Sequence, residues 1–139
     1  MIRFTDEMRE RLKSAFYDKK TCLLGTASKE GVPSISFRGS LMVYDDDHLA
    51  TWERSLQSSV DNLEENPHVV VLYVDIGARI GWRFYGEATM YKSGEIRQRI
   101  MDRTIKEELD KDPERKGYGV LIRVDKIRRF AGDEVLQER

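Results

Sequence analysis

Apolar and polar positions change period several times along the chain, and each change marks an element. Met8, Leu12, Ala15 and Phe16 recur at helical spacing, with Thr5 placed to cap the first turn and Asp6 and Glu7 opposing the positive end of a helix dipole. Residues 5 to 18 are therefore read as a helix. Thr21 to Ala27 is a short, largely apolar run without charge, and Ser28-Lys29-Glu30-Gly31 supplies a turn whose glycine can take a positive φ. From Pro33 to Tyr44 the odd positions Ile35, Phe37, Leu41 and Val43 are apolar while Ser34, Ser36, Arg38 and Ser40 are polar, which predicts a strand with one oily face. After the turn Asp45-Asp46-Asp47, His48 to Trp52 reads as a third antiparallel strand.

In the second half, residues 57 to 66 read as a short helix with Val60 and Leu63 inward and Asn66-Pro67 as its stop. Val69 to Val74 is apolar almost without interruption, the pattern of a strand covered on both faces. Trp82 to Tyr91 alternates, with Trp82, Phe84, Gly86, Ala88 and Met90 opposing Arg83, Tyr85, Glu87, Thr89 and Tyr91. Ser93 opens a helix striped by Ile96, Ile100, Met101, Ile105 and Leu109, and residues 110 to 117 form its exit. Tyr118 to Val124 is a further strand, which Ile127 to Phe130 extends after a bend. Strands in close succession with isolated helices between them predict an α+β fold: a six- or seven-stranded antiparallel barrel with flanking helices.

The 139 residues suit a single domain, and 40% hydrophobic with 35% charged residues suits a solvated surface around a modest core. A net charge of -1 offers no global field for a polyanion, so neither nucleic acid nor an anionic membrane is expected as a partner. The lone Cys22 excludes an intrachain disulfide and a multi-cysteine zinc site, and fits a reducing cytoplasm. Met1 to Arg11 lacks the apolar core of a signal peptide, so export and insertion are not expected. Cys22 reads as a buried, inert thiol, His48 and His68 as too few for a metal site, and the acidic triplet as a solvated turn.

The hairpin around Glu30-Gly31-Val32-Pro33, the strand Ser34 to Ser40 and the strand Leu49-Ala50-Thr51-Trp52 form a connected order. It continues through Ser58-Ser59-Val60-Asp61-Asn62-Leu63-Glu64-Glu65-Asn66-Pro67 into the apolar strand, and then Tyr85-Gly86-Glu87-Ala88. Over roughly residues 5 to 130 this order resembles the pyridoxamine 5'-phosphate oxidase-like family of FMN-binding split barrels. The resemblance implies a homodimer with FMN at the subunit interface and a small-molecule substrate. It places the phosphate at the end of the third strand, Ala50, Thr51 and Trp52, and at the helix start, Gln57, Ser58 and Ser59. Unpaired amides there suit a phosphate, although Ser58 or Ser59 as a simple helix cap is the competing reading.

Relatives often carry Lys or Arg where Ser58 and Ser59 stand. Arg38 or Arg54 would compensate through a bidentate guanidinium, and Glu53 would oppose this. The resemblance sets Ser36, Phe37, Arg38 and Gly39 beside the flavin ring, with Gly39 serving close approach or a β-bulge equally well. It brings Trp82 and Phe84 to the ring from the other subunit, for which core packing is the alternative. Exposed on a monomer, these two rings would form an apolar patch. The function implied is a flavin-dependent oxidoreductase, passing hydride or electrons from a reduced nicotinamide to a small acceptor. A noncatalytic module that sequesters or senses flavin or haem is the alternative. Pyridoxamine phosphate oxidase activity itself is not expected, because Arg123 to Arg139 holds no counterpart of that enzyme's substrate-gripping arginine-and-tryptophan segment.

Overall fold

The computed structural model describes residues 1–139. In chain order the elements are α1 (Asp6–Ser14), β1 (Cys22–Ala27), β2 (Pro33–Arg38), β3 (Met42–Val43), β4 (His48–Glu53) and α2 (Ser58–Glu65). They continue with β5 (His68–Asp75), β6 (Ile80–Tyr91), α3 (Glu95–Arg103), α4 (Lys106–Leu109), β7 (Tyr118–Arg129) and β8 (Val135–Glu138). Every strand pairing is antiparallel, in the order β2-β1-β5-β6-β7-β4-β3, with β8 beside β7. The sheet curls into an α+β split barrel of eight strands.

The strand alternation read from the sequence decides what the curl encloses. Cys22 and Leu24 of β1, Val69, Val71 and Tyr73 of β5, and Trp82 and Phe84 of β6 point inward with Ile122, Val124 and Ile127 of β7. The amino-terminal segment plugs this barrel: Ile2, Phe4, Met8 and Leu12 are buried in the same cluster, and the Phe4 and Phe84 rings meet edge to face at 5.8 Å. Thr5 caps α1 as its sequence suggests, its Oγ1 accepting from the Met8 amide at 3.1 Å. On the outside, α3 covers β4 and β7 through Ile100, Ala50 and Trp52. No helix is long and apolar enough to cross a membrane.

Five expectations need correction. The strand expected over 33–44 is two strands, because β2 pairs with β1 whereas β3 pairs with β4, and the chain turns between them with the Leu41 amide donating to Arg38 O. The helix opened near Ser93 divides at Thr104, whose extended backbone and Oγ1 bond to Ile100 O (2.7 Å) end α3 before the single turn of α4. β5 is covered on one face: Val69, Val71 and Tyr73 are buried, whereas Val70, Leu72 and Val74 are half-buried on an outer face that no element of the chain covers. Trp82 and Phe84 form no surface patch, since β6 turns both into the barrel at 7% and 0% exposure. The bend expected after Val124 is a β-bulge within one continuous β7, and β8 lies where the sequence shows no strand pattern.

Candidate functional site

The two edges of the sheet, β2 and β3, are consecutive in the chain, so the split in the barrel lies beside residues 38–41. Side chains cross it. Arg38 Nε donates to Glu53 Oε1 at 2.6 Å, while Ser40 Oγ accepts from the Trp52 amide (3.0 Å) and donates to Trp52 O (3.2 Å). Glu53 is only 2% exposed, and its carboxylate also accepts from Thr51 Oγ1 (3.1 Å) and Ser59 Oγ (3.4 Å). Arg38 Nη1 donates to Ser36 Oγ and Phe37 O, leaving Nη2 without a partner in the chain.

The amino end of α2 opens at this corner. Gln57 is its N-cap residue and makes no side-chain cap, so the amides of Ser58 and Ser59 donate to nothing within the chain. Neither serine is the cap that the competing reading supposed, because both already lie inside the first turn. Gln57 and Ser58 are exposed, and Arg54 stands exposed beside them without a carboxylate partner. Arg54 also lines an open groove of about 980 Å³, floored by Leu23, Phe37, Val74 and Ile76 and rimmed by Lys20 and Lys111.

The remaining candidates divide by face. Ser36 and Phe37 are exposed on β2, and Gly39 is half-buried in the turn, where an added methyl would run into the Glu108 carboxylate. Gly39 lies outside β2 and is no β-bulge, and the group that approaches it closely within the chain is that carboxylate. Ala50 and Thr51 are fully buried, and Trp52 is committed to the interior, its indole Nε1 donating to Asp112 at 3.0 Å under the Arg97 guanidinium. Trp82 stacks on Tyr73 inside the barrel. The members of β6 that do face outward are Arg83, Tyr85, Glu87, Thr89 and Tyr91, a set the alternation separated from Trp82 and Phe84 without saying which of the two sets faced the solvent.

The donors at this corner suit an anionic tail, and the two buried acids there are already engaged, Glu53 by Arg38, Thr51 and Ser59 and Glu108 by Lys111 at 2.9 Å. The residues therefore fit FMN: Ser58, Ser59 and Arg54 would hold its phosphate and the apolar floor its ring. Elsewhere, burial pushes the Cys22 thiol up to about 12, which leaves it unreactive. Asp45, Asp47 and His48 converge within 4.8 Å, but His48 Nδ1 lies between the two carboxylates (2.9 and 2.8 Å) and Arg139 takes Asp47 at 2.8 Å. That is a solvated ion-pair network.

This curled sheet recurs in solved structures. HupZ from Group A Streptococcus superposes with a TM-score of 0.79 at 19% identity, covering 96% of this chain and 99% of that one. An FMN-binding protein from Syntrophomonas wolfei gives 0.72 at 20% identity over 92% and 89%. HutZ, the heme storage protein of Vibrio cholerae, gives 0.68 at 16% identity over 86% and 92%. No curated protein sequence matches the chain. The sequence model of the family described as pyridoxamine 5'-phosphate oxidase matches residues 4–128, nearly the whole sheet with its covering helices, and the chain belongs to that family.

Proposed function

We propose that the protein binds FMN in a two-fold homodimer and works as a flavin-dependent oxidoreductase, passing hydride or electrons from a reduced nicotinamide to a small acceptor in the cytoplasm. The observation that carries this reading is the amino end of α2, whose two unpaired amides follow closely in the chain on the unpartnered Arg54, itself a lining residue of the apolar groove. A phosphate and a flat ring need those two surfaces side by side. The bound flavin would supply the redox chemistry. The chain's own residues anchor and orient: Ser58, Ser59 and Arg54 at the phosphate, Phe37 and Leu23 beneath the ring. The likeness to the Syntrophomonas wolfei FMN-binding protein supports the choice of flavin.

The dimer rests on the outer face of β2, β1 and β5. Ile35 and Phe37 are 65% and 69% exposed there, and Leu23, Leu72 and Val70 continue the same apolar surface along the pairing register. A second copy related by a two-fold axis would cover it.

A noncatalytic module that holds flavin or haem is the alternative, and Glu53 favours it by already occupying much of Arg38. Purified protein separates the readings. A yellow preparation absorbing near ~450 nm and bleached by NADPH or NADH supports the enzyme, and colour that does not bleach supports the binder. Colourless protein that gains no thermal stability from added FMN overturns both flavin readings. Mass spectrometry of the copurified ligand identifies a haem or other occupant.

A further inference from the structure

Glu108 of α4 borders two cavities at once. It lines the open groove, and it lines a smaller cavity of about 60 Å³ at the split of the barrel, beside Arg38 and Glu53. Phe37, Gly39 and Arg54 also line both. A ligand held by Arg54 with its ring over Phe37 therefore lies along Glu108.

The sequence seats this carboxylate firmly while leaving half of it free. Glu108 is 9% exposed, and Gly39 makes room for it, since a Cβ there would lie 2.6 Å from Glu108 Oε2. Lys111, three residues on, donates to that same oxygen at 2.9 Å. Oε1 accepts from no group in the chain. Every fully buried side-chain nitrogen or oxygen has a partner, so Oε1 reaches open space, and the open space beside Glu108 is the two cavities it lines.

Charge decides what this oxygen can take. Lys111 already balances the carboxylate, and Lys19, Lys20 and Arg54 line the same groove, in which Glu108 is the single acid. A cationic ligand meets a net positive wall, and an anionic group at Oε1 meets a carboxylate oxygen. An uncharged donor meets neither obstacle, and a carboxylate accepts from a hydroxyl more strongly than a neutral group does.

We propose that Glu108 is a specificity-determining residue that reads a hydroxyl-bearing linker between the phosphate and the ring of the ligand. The inference rests on the flavin reading and adds what the middle of the molecule contributes. Arg54 and Glu108 set the register: the phosphate stays at the cation, because the free carboxylate oxygen repels it, and the linker hydroxyls donate to Oε1. A ligand without such hydroxyls leaves a covered acceptor unpaired, which is how a site built for a hydroxyl rejects analogues lacking one. Haem, which offers carboxylates in place of hydroxyls, is disfavoured on the same ground.

Equilibrium dialysis of FMN, riboflavin and lumiflavin against the intact protein tests it, because riboflavin lacks only the phosphate whereas lumiflavin lacks the polyol as well. Riboflavin binds about tenfold more tightly than lumiflavin, and Glu108→Gln, close to it in shape, lowers FMN and riboflavin affinity by about tenfold while moving lumiflavin by less than about twofold, as expected when a hydrogen bond to a charged group is weakened. Gly39→Ala gives the same pattern, because its methyl displaces the carboxylate without removing its charge, and it keeps the test decisive if Glu108→Gln loosens α4. Riboflavin no tighter than lumiflavin, an equal loss for lumiflavin, or unchanged or tighter FMN binding in either folded variant overturns this role and leaves the flavin reading standing. Failure of all three flavins to bind the parent protein overturns both.

Discussion

Arg38 and Glu53 carry opposite charges where water scarcely reaches, with side chains 13% and 2% exposed. Removing one member strands the other, so Arg38→Ala should lower unfolding free energy by about 3–5 kcal/mol in urea titrations, and the Arg38→Met/Glu53→Gln pair by distinctly less. A loss in the double variant as large as in the single one would contradict this. Asp112 makes a different case. Burial raises its carboxyl, but donation from the Lys116 and Gly117 amides and the Trp52 indole outweighs that and holds it below the ordinary carboxylate range. A depressed folded value contributes stability that is complete above the unfolded value of about 3.9 and is lost as pH falls through the folded one. Asp112→Asn should therefore cost about 1–3 kcal/mol at pH 7, and its deficit against the parent should shrink in melts taken progressively below pH 4. Local chemistry of this kind was partly legible: Thr5 as a cap and Cys22 as an inert thiol follow from neighbours close in sequence. The bond from Trp52 to Asp112 joins residues sixty positions apart, and no periodicity announces it.

Among the elements, strands with one committed face were readable because a period of two survives any tertiary context. What the alternation in β6 left open was direction. Trp82 and Phe84 face the core and Arg83 and Tyr85 face out, an assignment made by the amino-terminal plug of Ile2 and Phe4 and by β7, both remote in sequence. The break in the 33–44 run was hidden for a similar reason: its apolar positions keep their parity through the turn at Gly39 while the pairing partner changes. Gly86 marks the place where β6 and β7 come closest at the bulge, and Gly86→Ala should destabilise by about 2–4 kcal/mol, since backbone rather than a flexible side chain must yield. Thermal melts of Gly86→Ala beside Gly31→Ala, where nothing lies within 4 Å but φ is +87°, separate crowding from backbone strain: the larger loss belongs to position 86.

For the whole molecule, the coarse architecture was written in the order of helices and strands, whereas the covering of its outer face was not. α3 shields β4 and β7, and β2, β1 and β5 keep Phe37, Leu23 and Leu72 in a row without cover. Under the proposed dimer, Ile35→Asp and Phe37→Asp should convert a light-scattering mass of two chains into one, and FMN retention should fall with it. A parent protein that scatters as a single chain at micromolar concentration would refute the assembly. The candidate flavin corner was legible as a place, the start of α2. The partners of its charges were not, because Arg38 and Glu53 meet only once the sheet has curled.

That meeting gives the barrel a fastening unlike its other joints. Everywhere else neighbouring strands are knitted by peptide groups, which no substitution can delete; beside residues 38–41 the rims are buttoned by Arg38, Glu53 and Ser40 alone. A closure made of replaceable parts can be loosened without unpicking the fabric, so the girth of the barrel at that seam is the dimension that small mutations are freest to adjust.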